Sequence, residues 1–186
     1  MDQFSHLPGM ANMREVWADN LLCGLCCKQI GVHLKQQAPP PDDALFLCGL
    51  LHNIGRLVVF VQLPEAGRIA YLKARSETIE ENDAIKALLG FDYYQVAAEL
   101  SKTWNLPEIL VVTQQYHALP LEAPQFKLEA AIVVLASAIA KQSPFDANSV
   151  GTKELLDFVG VLPHEMEEIF ALAKSQLAEC MRMFSG

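Results

Sequence analysis

Residues Leu45 to Arg56 read LFLCGLLHNIGR, a nearly unbroken apolar run with one histidine and one amide in its last turn. A run that is apolar on every side makes a central helix rather than one resting a single face on a core. Pro41-Asp42-Asp43 opens it with acidic residues suited to a first turn. Gly55 stands where such a helix would stop. His52-Asn53 is therefore expected as a polar pair at the end of a buried helix. A pair so placed either holds a ligand or fills hydrogen bonds.

Outward from this run, punctuation divides the chain into helices. Upstream, Asn12 with Glu15 forms a capping box that opens a helix to about Gln36, before Pro39-Pro40-Pro41. Its half from Asn20 to Cys27 carries no charge and is expected to be buried. Downstream, LVVFVQ (Leu57 to Gln62) is β-branched but has no partner strand, so it reads as helix. Leu63-Pro64-Glu65 starts the next helix, to about Arg75, and Thr78 with Glu81 forms a second capping box for a short helix that Gly90 ends. Asp92 caps a helix through Trp104, and Leu106-Pro107-Glu108 starts one to about Tyr116.

LEAAIVVLASAIA, Leu128 to Ala140, is a second central helix. A polar loop between Ser143 and Gly151 precedes a short helix, Lys153 to Val159, and an amphipathic one from His164 to about Met183. Trp17 and Trp104 read as core anchors. Met166, Met181 and Met183, with Ile169, Phe170 and Leu177, form a stripe suited to core packing or to a partner. No segment alternates with period two. The expectation is all-α, about nine helices around two or three buried central ones, with residues 1–186 as a single domain.

At 186 residues and 52% apolar, the chain has enough material for one sizeable core. The net charge of -8, with Lys and Arg nowhere clustered, argues against a nucleic-acid partner. The apolar runs are short and broken by polar groups, so no membrane span is expected. Five unevenly spaced cysteines in apolar helices suggest a reducing cytoplasm, not a disulfide framework. Cys23, Cys26 and Cys27 on one helix, with Cys48 and His52 on another, have two readings. Either they are small core residues where two helices cross, or they are a metal or redox site. The core reading is preferred.

FLCGLLHNIGRLVV, then LPE, then LLGFDYYQVAAELSKTWNLPEILVVTQQYH, resembles the HDOD domain, a relative of the HD metal-dependent phosphohydrolases. The likeness extends through LEAAIVVLASAIA, spans 17–142, and weakens over the C-terminal extension 143–186. It implies an HD-like multi-helix bundle from a bacterial signalling protein, one that often follows a receiver domain or sits beside a cyclic-dinucleotide enzyme. It also implies that the family's usual N-terminal helical subdomain lies outside this chain.

An HD site needs an early histidine, the His-Asp pair and a late aspartate, because a divalent ion needs imidazoles and carboxylates to offset its desolvation. In the family's register the early histidine falls at Asp19. His52 keeps the histidine of the pair, Asn53 replaces its aspartate, and the late aspartate falls at Ser137. Of two auxiliary histidine positions, Tyr93 replaces one and His117 keeps the other. His52 and Asp19 alone are too poor a set to hold a metal, so no cofactor and no catalytic residue is expected. Asp19, His52, Asn53 and Ser137 would instead satisfy one another as a polar clasp between helices.

The expected function is a non-catalytic signal-transduction output domain acting through a protein partner or adjoining domain, with homodimerisation left open. The alternatives are a metal-dependent phosphohydrolase or cyclic-dinucleotide phosphodiesterase, and a nucleotide sensor using the vestigial pocket.

Overall fold

The computed structural model describes residues 13–34, 42–141 and 146–183. Within them the chain forms ten α-helices and no strand. These are α1 (Met13–Leu34), α2 (Asp42–Leu51), α3 (Ile54–Gln62), α4 (Pro64–Glu77), α5 (Glu81–Leu89) and α6 (Tyr93–Thr103). They continue as α7 (Glu108–Gln115), α8 (Lys127–Ala140), α9 (Val150–Val159) and α10 (Pro163–Met183), with a 3₁₀ turn at Pro120–Glu122. The expected all-α class is what the chain adopts. The Asn12 cap lies outside the described residues.

The apolar content of the central segments decides the packing. α1 packs against α2, α8 and α10, and α2 also meets α7 and α8. The main core between them contains Leu22, Ile30, Leu45, Ile132, Leu135 and Met166, all essentially inaccessible. Cys23, Cys26, Cys27 and Cys48 belong to it as free thiols. A Cβ added at Gly49 would come 2.6 Å from Cys27 Sγ and 2.8 Å from Gly24 Cα, so small residues let α1 and α2 cross closely. A second cluster, with Val59, Phe60, Ala70, Ile85 and Tyr93, joins α3 to α4, α5 and α6.

Several local expectations need correction. The central run does not end at Gly55; it breaks at His52-Asn53, and Gly55 lies buried inside α3. A Cβ there would collide with the Tyr93 carbonyl and approach Ala97 N to 2.8 Å, so this glycine serves the α3–α6 contact and not a helix stop. Thr78 closes α4 in a left-handed conformation (φ 54), and the N-cap of α5 is Glu80, which makes no side-chain cap bond, so the Thr78–Glu81 box does not form. Asp92 does cap α6, in a full capping box with Gln95. Trp17 and Trp104 are 46% and 56% exposed and anchor no core. Met166 is buried, but Met183 at the end of the same stripe is exposed.

By length and composition alone, Asp43–Gln62 is apolar enough to cross a bilayer. In the fold it is two helices, each packed against others, with a polar pair at the break.

Candidate functional site

Ending α2 at Leu51 deprives its last carbonyls of their helical partners, and in a buried place these must be satisfied some other way. Two side chains do it. His52 Nδ1 donates to the Gly49 carbonyl at 2.7 Å; a carbonyl only accepts, so this nitrogen carries the proton. Gln114 of α7 donates through Nε2 to the Leu51 carbonyl at 3.3 Å. Its Oε1 accepts from Ser101 Oγ of α6 at 2.6 Å. His52, Ser101 and Gln114 are all buried.

Cys23 of α1 lies on the same imidazole closely enough to interact with it electrostatically. Burial opposes a charge on either group. The hydrogen bond from Cys27 and the His52 imidazole nevertheless hold the Cys23 thiol down to about 5. Cys23 in turn, with the Gly49 carbonyl, pushes His52 above its ordinary value. The proton between them is drawn from sulfur toward nitrogen. The neighbouring thiols go the other way, with burial raising Cys26 to about 12 and Cys48 to about 11.

His117, just after α7, stacks obliquely in the same place. Its ring centroid is 5.8 Å from His52 and 4.7 Å from Tyr94. Burial, then the charges of His52 and Lys141, hold its protonation well below the ordinary range. His117 Nδ1 and Ser137 Oγ are buried and have no hydrogen-bond partner.

The expected site residues are thus only partly together. His52 and His117 form the cluster, and Ser137 is buried on the facing helix α8. Asp19 is exposed; Asn20 beside it is the buried one, 3% accessible. Asn53 is half-buried at the start of α3 and its side chain caps nothing. Tyr93 turns away: its hydroxyl donates to Glu81 Oε1 at 2.8 Å, and Arg56 binds the same carboxylate at 2.8 and 3.1 Å. The expected clasp of Asp19, His52, Asn53 and Ser137 is not formed: His52 Nδ1 is bonded to Gly49, and Ser137 Oγ has no partner. Sequence reasoning missed Tyr94, Gln114 and Ser101. A glutamine inside the apolar EILVVTQQ was the available signal for Gln114.

The chain matches the HDOD domain family over residues 1–120. It belongs to that family. The match begins ahead of position 17, where the resemblance was drawn, and stops before α8. An uncharacterized protein of Treponema pallidum (strain Nichols) is 32% identical over 94 residues, which is 45% of this chain and 17% of that protein. Among solved structures, a provisionally named phosphohydrolase from Shewanella amazonensis SB2B is 20% identical with a TM-score of 0.69, covering 88% of this chain and 60% of that one. A provisionally named signal transduction protein from Marinobacter aquaeolei VT8 is 22% identical with a TM-score of 0.72, covering 90% and 38%. At these identities the likeness is one of fold. The HDOD chain spans less than two thirds of each relative's length.

The HD relationship implies a divalent metal, and the residues do not fit one. Among the described residues, no three His, Cys, Asp or Glu side chains converge as ligands. Asp92 is the one buried carboxylate among them, and it is engaged as the α6 cap and with Lys86. In the register that the resemblance implies, the neutral amide of Asn53 and the hydroxyl of Ser137 take the carboxylate positions, and without carboxylates the charge of a hard ion goes uncompensated.

Proposed function

We propose that this HDOD domain is a non-catalytic output module of bacterial signal transduction, working in the cytoplasm through a protein partner or an adjoining receiver or cyclic-dinucleotide domain. The observation that carries this reading is the use made of His52. Its Nδ1 replaces a lost helical hydrogen bond with the Gly49 carbonyl, so the residue that would head an HD metal site holds the α2–α3 break. Asn53 and Ser137 supply no carboxylate beside it. The Marinobacter neighbour's name agrees with a signalling role; the Shewanella neighbour's name points to the hydrolase alternative. Free buried cysteines agree with a reducing compartment.

The test is hydrolysis of a phosphodiester and phosphomonoester panel with manganese or ferrous iron. The expected result is no turnover above the metal blank. Turnover that His117→Gln and His52→Ala both remove, in variants shown to be folded, would overturn the proposal. Turnover that survives both belongs to a contaminant. For the positive side, co-expression with a candidate adjoining domain and size-exclusion chromatography should show a complex.

A further inference from the structure

Tyr94, whose ring rests on His117, also lines a separate cleft of about 460 Å³ formed by α5, α6 and the segment from Gln115 to Glu122. That volume is in the range of small-molecule sites. Tyr116 lines it as well, so two phenol rings contribute to its walls.

The charges of the lining decide what the cleft can take. Its two cations are already paired: Lys86 Nζ lies 3.3 Å from Asp92 Oδ2, and Lys102 Nζ lies 3.4 Å from Glu99 Oε2. Glu122 is a third carboxylate, and the lining holds no third cation to match it. The surroundings of Tyr94 lean the same way. Burial and then the carboxylates of Glu80, Asp92 and Asp83 raise its phenol to about 12. An anion entering here would have to take a lysine from its carboxylate. A cation would meet unmatched negative charge and two tyrosine side chains, a residue type that attracts alkylammonium groups.

We propose that this cleft binds a small organic cation, an alkylammonium of the choline or polyamine kind, between Tyr94, Tyr116 and the Glu122 carboxylate. The site shares no ligand with the His52 cluster beyond the back of Tyr94 and stands whether or not that cluster is catalytic.

Titration calorimetry of the whole chain with choline chloride and with spermidine, at ionic strength matched with sodium chloride, tests it. Binding of choline is expected, tighter than that of ammonium chloride, which has no methyl groups to lay on a ring. Glu122→Gln should weaken it by about three- to tenfold, and Lys102→Ala, by freeing Glu99, should strengthen it by a few fold. Glu179→Gln, on the exposed side of α10, should change nothing. No heat from either amine overturns the proposal, and so does equal weakening by Glu179→Gln, which would mean general attraction to an acidic chain. Binding of adenosine monophosphate that Lys102→Ala weakens would assign the cleft to anions instead.

Discussion

His52 is fixed by one backbone contact. An imidazole in a metal site also donates one N–H to a carbonyl, and His52 retains that bond to Gly49. Cys23 interacts electrostatically with the same ring. His52→Ala should therefore strand a buried carbonyl and cost about 1–3 kcal/mol in urea denaturation. Asn53→Ala, whose side chain makes no cap bond, should stay within about 0.5 kcal/mol. The pH dependence follows from His117. The unfolded ring takes its proton near 6.5 and the folded ring only well below that. The unfolded state therefore binds the extra proton between those values, and stability complete above pH 6.5 is lost as the pH falls. One such group gives up to about 1.4 kcal/mol per pH unit. Cys23, held to about 5 against 9.0, acts in the same direction over the whole interval from pH 9.0 down to about 5. His52, raised, keeps its contribution below 6.5 and loses it above. The urea midpoint should therefore drop between pH 6.5 and 5.5, and His117→Gln should flatten that slope. An unchanged slope would mean the ring is not buried as a neutral group. His52 and His117 were legible from the family register. Asp19 was not, since an offset of one residue turns a helical side chain by about 100°, and it is Asn20 that points inward.

At the scale of elements, the α2–α3 break sets the site. A sequence pattern registers apolar content well, so both central helices were legible. It registers a break inside an apolar run poorly, because nothing in LLHNIGR shows that Gln114 and His52 will take over the carbonyls. Gly55 was misread for a related reason: a glycine at a helix stop and a glycine at a helix crossing look alike until the partner helix is placed. Its role gives a sharp expectation. In an open helix, glycine to alanine gains about 1 kcal/mol. Gly55→Ala should instead lose about 2–4 kcal/mol, because the methyl meets backbone atoms of Tyr93 and Ala97 that cannot rotate away. A chemical-denaturation curve measures it, and a stabilised variant would show that α3 and α6 are not in this contact. The same step along α6 explains Tyr93 and Tyr94. Tyr93 faces α3 and α5, where Glu81 receives it, and the next residue swings round to His117.

For the whole molecule, the question is whether the place of the HD metal is now a permanent part of the core. Function was legible only through family resemblance, since composition and periodicity describe any helical protein of this size. The fold turns that resemblance into a prediction about metal. Where the family register would place carboxylates, the chain has uncharged groups, and an unpaired buried carboxylate there would cost more than either. Wild-type protein should therefore melt at the same temperature, within about 1 °C, with EDTA or with millimolar manganese, because an ion that does not bind the folded state adds no stability. The double variant Asn53→Asp, Ser137→Asp should melt several degrees lower in EDTA and recover on adding manganese, its two carboxylates gaining a counter-ion beside His52 and His117. If the wild type itself gains stability from manganese, the polar core is a working metal site. If the double variant is destabilised and manganese does nothing, the two restored carboxylates and the two imidazoles do not converge on one ion.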